Sequence, residues 1–305
     1  MNQPNGHPLV CPVCRAALEQ QERCYCCPEG HSFDLARQGY LNLLLSHQRR
    51  SKHPGDSKEM IKARQTFLNE GHYLPIYSAL EQLVLKHIKK DEHSQTLQIT
   101  DLACGEGYYT HLLYKKLQQK LLENKQTEEA PRIQTWGLDI SKDAIISACK
   151  HYPSVNWLVG NLAHTPFCDH SMDILTALFC PVSENELVRL LKPGATFIMA
   201  KPDAGHLIQL KEQLYSEIKG KDNEEEIEGS KRHPVHHPEL ELIDTLQVQH
   251  TFTLDKPELI QALFKMTPHF WRTKAEQQEK IMQLKTLETD ISVSLYCYRL
   301  RTDSA

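Results

Sequence analysis

The sequence predicts an α/β protein: a doubly wound parallel sheet with a small cysteine-rich module in front of it. Three features point there. Five of the ten cysteines crowd into residues 11–27. Beyond residue 95, short apolar runs alternate with helically spaced ones. One of those runs ends in Asp101-Leu-Ala-Cys-Gly-Glu-Gly-Tyr-Tyr-Thr110, a glycine loop between a strand and a helix.

Composition sets the outer limits. The chain has 305 residues, enough for one large domain and a small one. Apolar residues make up 40% and charged residues 24%, an ordinary globular balance. Net charge is −4, so any nucleic-acid contact must come from a local basic patch. No apolar run approaches the roughly 18 residues of a membrane span. Residues 1–10 lack a basic-then-apolar leader pattern, and clustered cysteines without an export signal suit a reducing compartment. The expected location is the cytoplasm.

Cys11-Pro-Val-Cys14 opens the chain. A C-x2-C turn aims two thiolates at one point, half of a tetrahedral zinc site. Cys24, Cys26 and Cys27 follow, with His31 four positions after Cys27. Any of the three could be the third thiolate; the Cys27-Pro-x-x-His31 spacing favours Cys27. A thioredoxin-like redox pair at Cys11 and Cys14 is the rival reading, and it wants a βαβ context that this turn-rich stretch lacks. A closed Cys3His set implies structural zinc, because a module this small cannot stabilise itself through its core. Residues 31–45 are partly apolar and are expected to pack on that module.

Next, Arg49, Arg50, Lys52 and His53 form a basic run. Asp56 is expected to cap a helix, with Glu59 in capping-box position. From Arg49 to Arg64 there are six Lys or Arg and two acids, which reads either as a solvated face or as a phosphate-contacting stripe. A further helix is expected over 74–90. The central strand ends near Asp101, Gly105 and Gly107 form the tight loop, and Tyr109, Leu112, Leu113 and Leu117 have helical spacing. Bare backbone N–H groups at such a helix start suit a nucleotide-like ligand. The place of the third dinucleotide-type glycine is taken by Thr110, and no Lys-Ser/Thr follows, which excludes a P-loop.

Residues 118–132 are polar and expected to form a surface insertion. A second strand ends at Asp139, where an acid can accept from ribose hydroxyls. A helix over 141–152 follows, then a strand over 155–159 ending at Gly160-Asn161-Leu162, where an amide could meet an adenine edge. A fourth strand is expected over 172–179, a helix over 184–191 and a fifth strand over 196–200. A helix over 206–218, an acidic loop over 222–228 and strands near 242–254 and 291–300 complete the pattern. Gly105, Gly107, Asp139 and Asn161 all fall beyond strand C-termini, where ligands of doubly wound sheets sit.

The glycine loop, an acid followed by x-x-C-G-x-G, resembles the S-adenosylmethionine loop of class I, Rossmann-like methyltransferases. Nearly the full length resembles the bacterial 23S ribosomal RNA (guanine-N1)-methyltransferases, which carry an N-terminal zinc ribbon. That resemblance rests on C-P-x-C, Cys27-Pro-x-x-His31-x-Phe-Asp, Gly39-Tyr-x-Asn-Leu-Leu, Pro54-Gly-Asp-Ser, Gly71-His-Tyr73, Cys104-Gly-Glu-Gly-Tyr-Tyr-Thr-His111 and Met266-Thr-Pro-x-x-Trp-Arg272. It implies zinc on Cys11, Cys14, Cys27 and His31, and cofactor contacts from Tyr73, Gly105, Glu106 and His206. Asp101, Gly107, Asp139, Asn161 and Leu162 complete the expected cofactor set.

The domains expected are a zinc-ribbon RNA-recognition domain over 1–45, a basic linker and helix over 46–73, and a methyltransferase domain over 74–305. The implied partner is a 23S ribosomal RNA hairpin, and the implied assembly a homodimer. Three departures stand out: Ala103 where the family usually has glycine, the text of residues 176–182, and the insertion before Asp139. A small-molecule methyltransferase and a non-enzymatic RNA binder are the rival readings. No acid stands out as acceptor for the guanine N1 proton.

Overall fold

A computed structural model describes residues 7–49, 51, 54–88, 96–123, 132–215 and 234–302. Three short strands, β1 (Glu19–Gln21), β2 (Cys24–Cys26) and β3 (Ser32–Asp34), form an antiparallel ribbon in sequence order. Among the described residues the large sheet has eight strands. They are β4 (Tyr40–Asn42), β5 (Thr96–Leu102), β6 (Arg132–Asp139), β7 (Asn156–Val159), β8 (Met172–Leu178), β9 (Leu191–Pro202), β10 (Leu240–Leu254) and β11 (Leu287–Leu300). Their order is β10-β11-β9-β8-β5-β6-β7-β4. Only β11 runs against the rest, pairing antiparallel with β9 and β10. The doubly wound prediction therefore holds, with one reversed strand.

The helices follow the expected periodicity: α1 (Lys58–Leu68), α2 (Leu74–His87), α3 (Tyr108–Glu123), α4 (Lys142–His151), α5 (Glu184–Leu190) and α6 (Ile208–Leu214). After β10 come α7 (Pro257–Met266), α8 (Pro268–Arg272) and α9 (Ala275–Met282). Several expectations need correcting. The cap of α1 is Ser57, whose hydroxyl accepts from Met60 N–H, so Asp56 is freed for another role. Residues 118–123 are the last turns of α3 rather than an insertion, since Gln, Lys, Leu and Glu all favour helix; residues 124–131 lie outside the described ones. The helix expected from 206 begins at Ile208, after Leu207 in a left-handed conformation. The acidic run 222–228 also lies outside the described residues.

Strand β4 is the larger surprise. Residues 40–42 were expected to pack on the zinc module; they pair parallel with β7 at the edge of the large sheet. Tyr40 and Leu41 are both buried, in clusters on opposite faces, as in a strand covered on both sides. Leu9, Cys11, Leu18 and Cys27 of the ribbon share one core with Leu138 and Phe197 of the sheet and Phe167 of the loop after β7. Ribbon and sheet are packed as one body.

Candidate active site and metal centre

In the ribbon, Cys11, Cys14, Cys27 and His31 bring one ligand atom each to within 4.8 Å of the others. Cys14 Sγ lies 3.6 Å from Cys27 Sγ, and Cys27 Sγ 3.3 Å from His31 Nδ1. Sulfurs sharing one tetrahedral zinc sit about 3.8 Å apart, given Zn–S of about 2.3 Å. The donor set fits that ion. Burial raises the Cys27 thiol, but hydrogen bonds from His31 and its neighbours prevail and hold it at about 7, poised to lose its proton. Cys24 and Cys26 face each other instead, 3.4 Å apart on one side of β2.

The second site lies past the C-terminal ends of β5, β6 and β8, where strand order reverses. A cavity of about 430 Å³ is lined there by Ala103–Glu106 after β5, Asp139–Ile140 after β6 and Phe179–Pro181 after β8. Asp56, Arg64, Tyr109 and Leu162 close it. Gly105 N–H donates to Asp139 Oδ2 at 2.9 Å and Ser141 N–H to Oδ1 at 2.7 Å. A carboxylate offers about four acceptor positions, so two remain for a ligand. Burial raises the Asp139 pKa. Asp101 also lines the cavity, and Thr110 and Thr176 hydroxyls donate to its two oxygens, which braces the loop. Burial, opposed by those two bonds, lifts Asp101 to about 6.

Glu106 is buried, and Arg64 Nη1 lies 3.5 Å from it and 2.5 Å from Asp56. Arg64 therefore belongs to this cavity, not to the exposed basic stripe in which the sequence reading counted it. Arg49, Lys58 and Lys62 are exposed; Arg50, Lys52 and His53 lie outside the described residues. Ala103 sits at φ +56, a left-handed conformation that explains why glycine suits this position.

Two expected residues lie elsewhere. A Cβ on Gly107 would fall 2.3 Å from the Trp157 ring, and one on Gly137 2.2 Å from the same ring. Gly107 thus allows helix–strand packing and does not line the cavity. Asn161 accepts from Ala163 N–H, a turn contact, and is also absent from the lining, whereas its neighbour Leu162 is present.

Tyr73 and His206 meet in an adjoining cavity of about 300 Å³, walled also by Pro202, Lys211, Met266 and His269. His206 Nδ1 accepts from Ser292 N–H at 3.4 Å, and its Nε2 lies 3.3 Å from the Tyr73 hydroxyl. That pattern places the imidazole proton on Nε2, donated to Tyr73. Burial, with Lys211 and His269 nearby, lowers His206 to about 4, so the ring is neutral at physiological pH. Tyr109, Phe179, Arg64 and Leu68 line both cavities. The Tyr109 hydroxyl is buried with no hydrogen-bond partner among the described residues, a group that a ligand at the junction would satisfy. Sequence reasoning missed Tyr109, Phe179, Arg64 and Lys211. Tyr109 has the spacing of a core residue on α3, and only Phe179, at φ +59, departs from ordinary backbone.

A glycine loop, an acid on the second strand of the winding and a ligand cavity at the switch point define an S-adenosylmethionine-dependent methyltransferase; the ribbon adds structural zinc. A family model described as "Methyltransferase domain" matches residues 93–253, and one for a zinc ribbon, "RlmA, N-terminal", matches residues 9–52. A Bacillus subtilis protein provisionally named 23S rRNA (guanine-N(1)-)-methyltransferase is 28% identical over 93% of this chain and 94% of its own. One of the same provisional name from Micromonospora griseorubida is 33% identical over 68% of this chain and 69% of its own. The 23S rRNA (guanine(748)-N(1))-methyltransferase of Streptomyces fradiae is 31% identical, with 68% and 67% covered. The chain belongs to the 23S rRNA (guanine-N1)-methyltransferase family.

Proposed function

We propose that this chain transfers the methyl group of S-adenosylmethionine to N1 of a guanine in a 23S ribosomal RNA hairpin, with the guanine turned out of its stack. N1 lies on the pairing edge, so the base must leave its partner to react. The observation that carries this reading is the pair of cavities meeting at Tyr109 and Phe179. The larger would hold the cofactor and the smaller the base. The cofactor supplies an electrophilic methyl group; the chain supplies alignment and exclusion of water.

We assign ribose binding to Asp139, backbone contact to Gly105, the adenine side to Ile140 and Leu162, and the methionine end to the region of Glu106. Tyr73 and His206 border that end from the second cavity. Cys11, Cys14, Cys27 and His31 hold zinc, and the ion stiffens the ribbon. Residues 1–45 and the basic stretch 46–73 serve RNA recognition, and 74–305 the chemistry, although β4 is shared with the large sheet. Exposed Arg49, Lys58 and Lys62 suit phosphate contacts, which position RNA without reading sequence. A ribosomal substrate implies work in the cytoplasm, and family resemblance a homodimer. Primer extension on 23S ribosomal RNA, from cells with and without this gene, tests the reading. N1 methylation blocks copying, so a gene-dependent stop at one guanine is expected. RNA that copies identically in both strains would remove it.

A further inference from the structure

The smaller cavity is lined by a cation, Lys211, that makes no ion pair among the described residues. Lys211 lies on α6 and is half-buried. Among the described residues no carboxylate lies within ion-pair distance of its ammonium. Arg64, the other cation at the wall, is held by Asp56 and Glu106. The remaining titratable groups facing Lys211 are His206, His269, Tyr73 and Tyr109, none of them an acid. On the elements packed against α6, Asp290 of β11 is taken by Gln209 and Thr251, and Lys280 of α9 reaches the Gln213 carbonyl. Tyr215, just past α6, is bonded to His269 at 3.0 Å.

The same cavity is lined by the aromatic rings of Tyr73, Tyr109 and Phe179. Phe179 is 40% exposed, and its ring lies 21° from parallel to His206. Its left-handed φ of +59 is costly for a bulky residue and places it where both cavities meet. Aromatic rings and an ammonium without an ion-pair partner among the described residues, in one cavity, suit a planar ring that carries an acceptor oxygen on its edge. Guanine has that form, with O6 beside N1.

Resting on the function proposed above, we infer that Lys211 recognises O6 of the flipped guanine and, by stabilising negative charge on that oxygen, favours loss of the N1 proton before methyl transfer. The proton leaves to water at the cavity mouth. The N1 lone pair then forms the N–CH3 bond as the S–CH3 bond breaks with its electron pair passing to sulfur. The anionic base and the sulfonium become two neutral groups, so charge balances and no side-chain acid or base is consumed. A cation beside an ionising group lowers its pKa, typically by about 1–3 units. Burial lowers the Lys211 ammonium, and an anionic base beside it would oppose that shift while being stabilised in turn.

The test is the pH dependence of kcat/KM for methyl transfer to 23S ribosomal RNA from cells lacking the gene. Wild type, Lys211→Met and Lys211→Arg would be compared, with cofactor affinity measured separately by calorimetry. The wild-type rate should rise with pH to a plateau, with an apparent pKa below that of the free nucleoside. Lys211→Met should move this limb upward by about 1–3 units, recover at alkaline pH and keep wild-type cofactor affinity. Lys211→Arg, which retains the cation, should stay near the wild-type profile. A uniform fall at every pH would make Lys211 merely structural, and lost cofactor affinity would assign it to the methionine carboxylate; either overturns the inference. Should Lys211→Met not fold, a wild-type limb at the free nucleoside's own pKa overturns it equally. A wild type that transfers no methyl to this RNA would instead bring down the proposed function.

Discussion

Asp139 gives two acceptor positions to backbone N–H groups and keeps two for a ligand. Asp139→Ala should therefore weaken cofactor binding by about 1.5–3 kcal/mol, roughly ten- to hundred-fold, in calorimetric titration. Unchanged affinity would place the ribose elsewhere. Gly107 has a different fate although it stands two residues from Gly105. Its Cβ would collide with Trp157, so Gly107→Ala should cost about 1–3 kcal/mol of stability by urea unfolding. Cofactor affinity of the folded variant should fall far less than in Asp139→Ala. In the sequence both glycines read alike, because the ring that separates them lies fifty residues on, at Trp157. The same holds for Arg64: its charge is visible in one dimension, its partners Asp56 and Glu106 are not.

At the scale of elements, the ribbon was legible because ligand spacing encodes geometry directly. What the spacing left open was the third thiolate. The strand period of two puts Cys24 and Cys26 on one face of β2, and Cys27 escapes into the turn that Gly30 closes on its carbonyl. Cys11→Ser should accordingly lower bound zinc below one equivalent per chain and depress the melting temperature, since metal binding is folding free energy here. Cys26→Ser should change neither. Equal zinc loss in both, by metal analysis, would mean that the pair on β2 also ligates. Helix positions were readable from apolar spacing, while the cap of α1 was displaced by one residue because Asp56 and Ser57 are both good caps.

For the whole molecule, alternation of strands and helices foretold the winding, but not strand direction or the origin of the edge strand. Apolar pattern carries no arrow, so the reversed β11 was invisible. A three-residue strand beyond Gly39 was too short for any periodicity to reveal. Yet β4 is one of several ties between the two parts. Val10 N–H donates to the Pro166 carbonyl, Cys168 N–H to that of Pro8, and Leu43 N–H to that of Val159. Arg15 reaches the carbonyls of Thr165 and Phe167 at 2.8 and 3.0 Å. The ribbon is thus fastened to the loop after β7 and to β7 itself, and a shared core lies beneath. Removing zinc should loosen more than the ribbon. After chelation, amide hydrogen exchange should rise first in residues 9–35, then in Tyr40–Asn42 and Asn156–Val159, because local openings follow contiguous packed units. Strands β9, β10 and β11, at the far end of the sheet, should keep their protection. If exchange rose only within the ribbon, β4 would be held by the sheet alone, and zinc could not influence the sheet edge at β4 and β7.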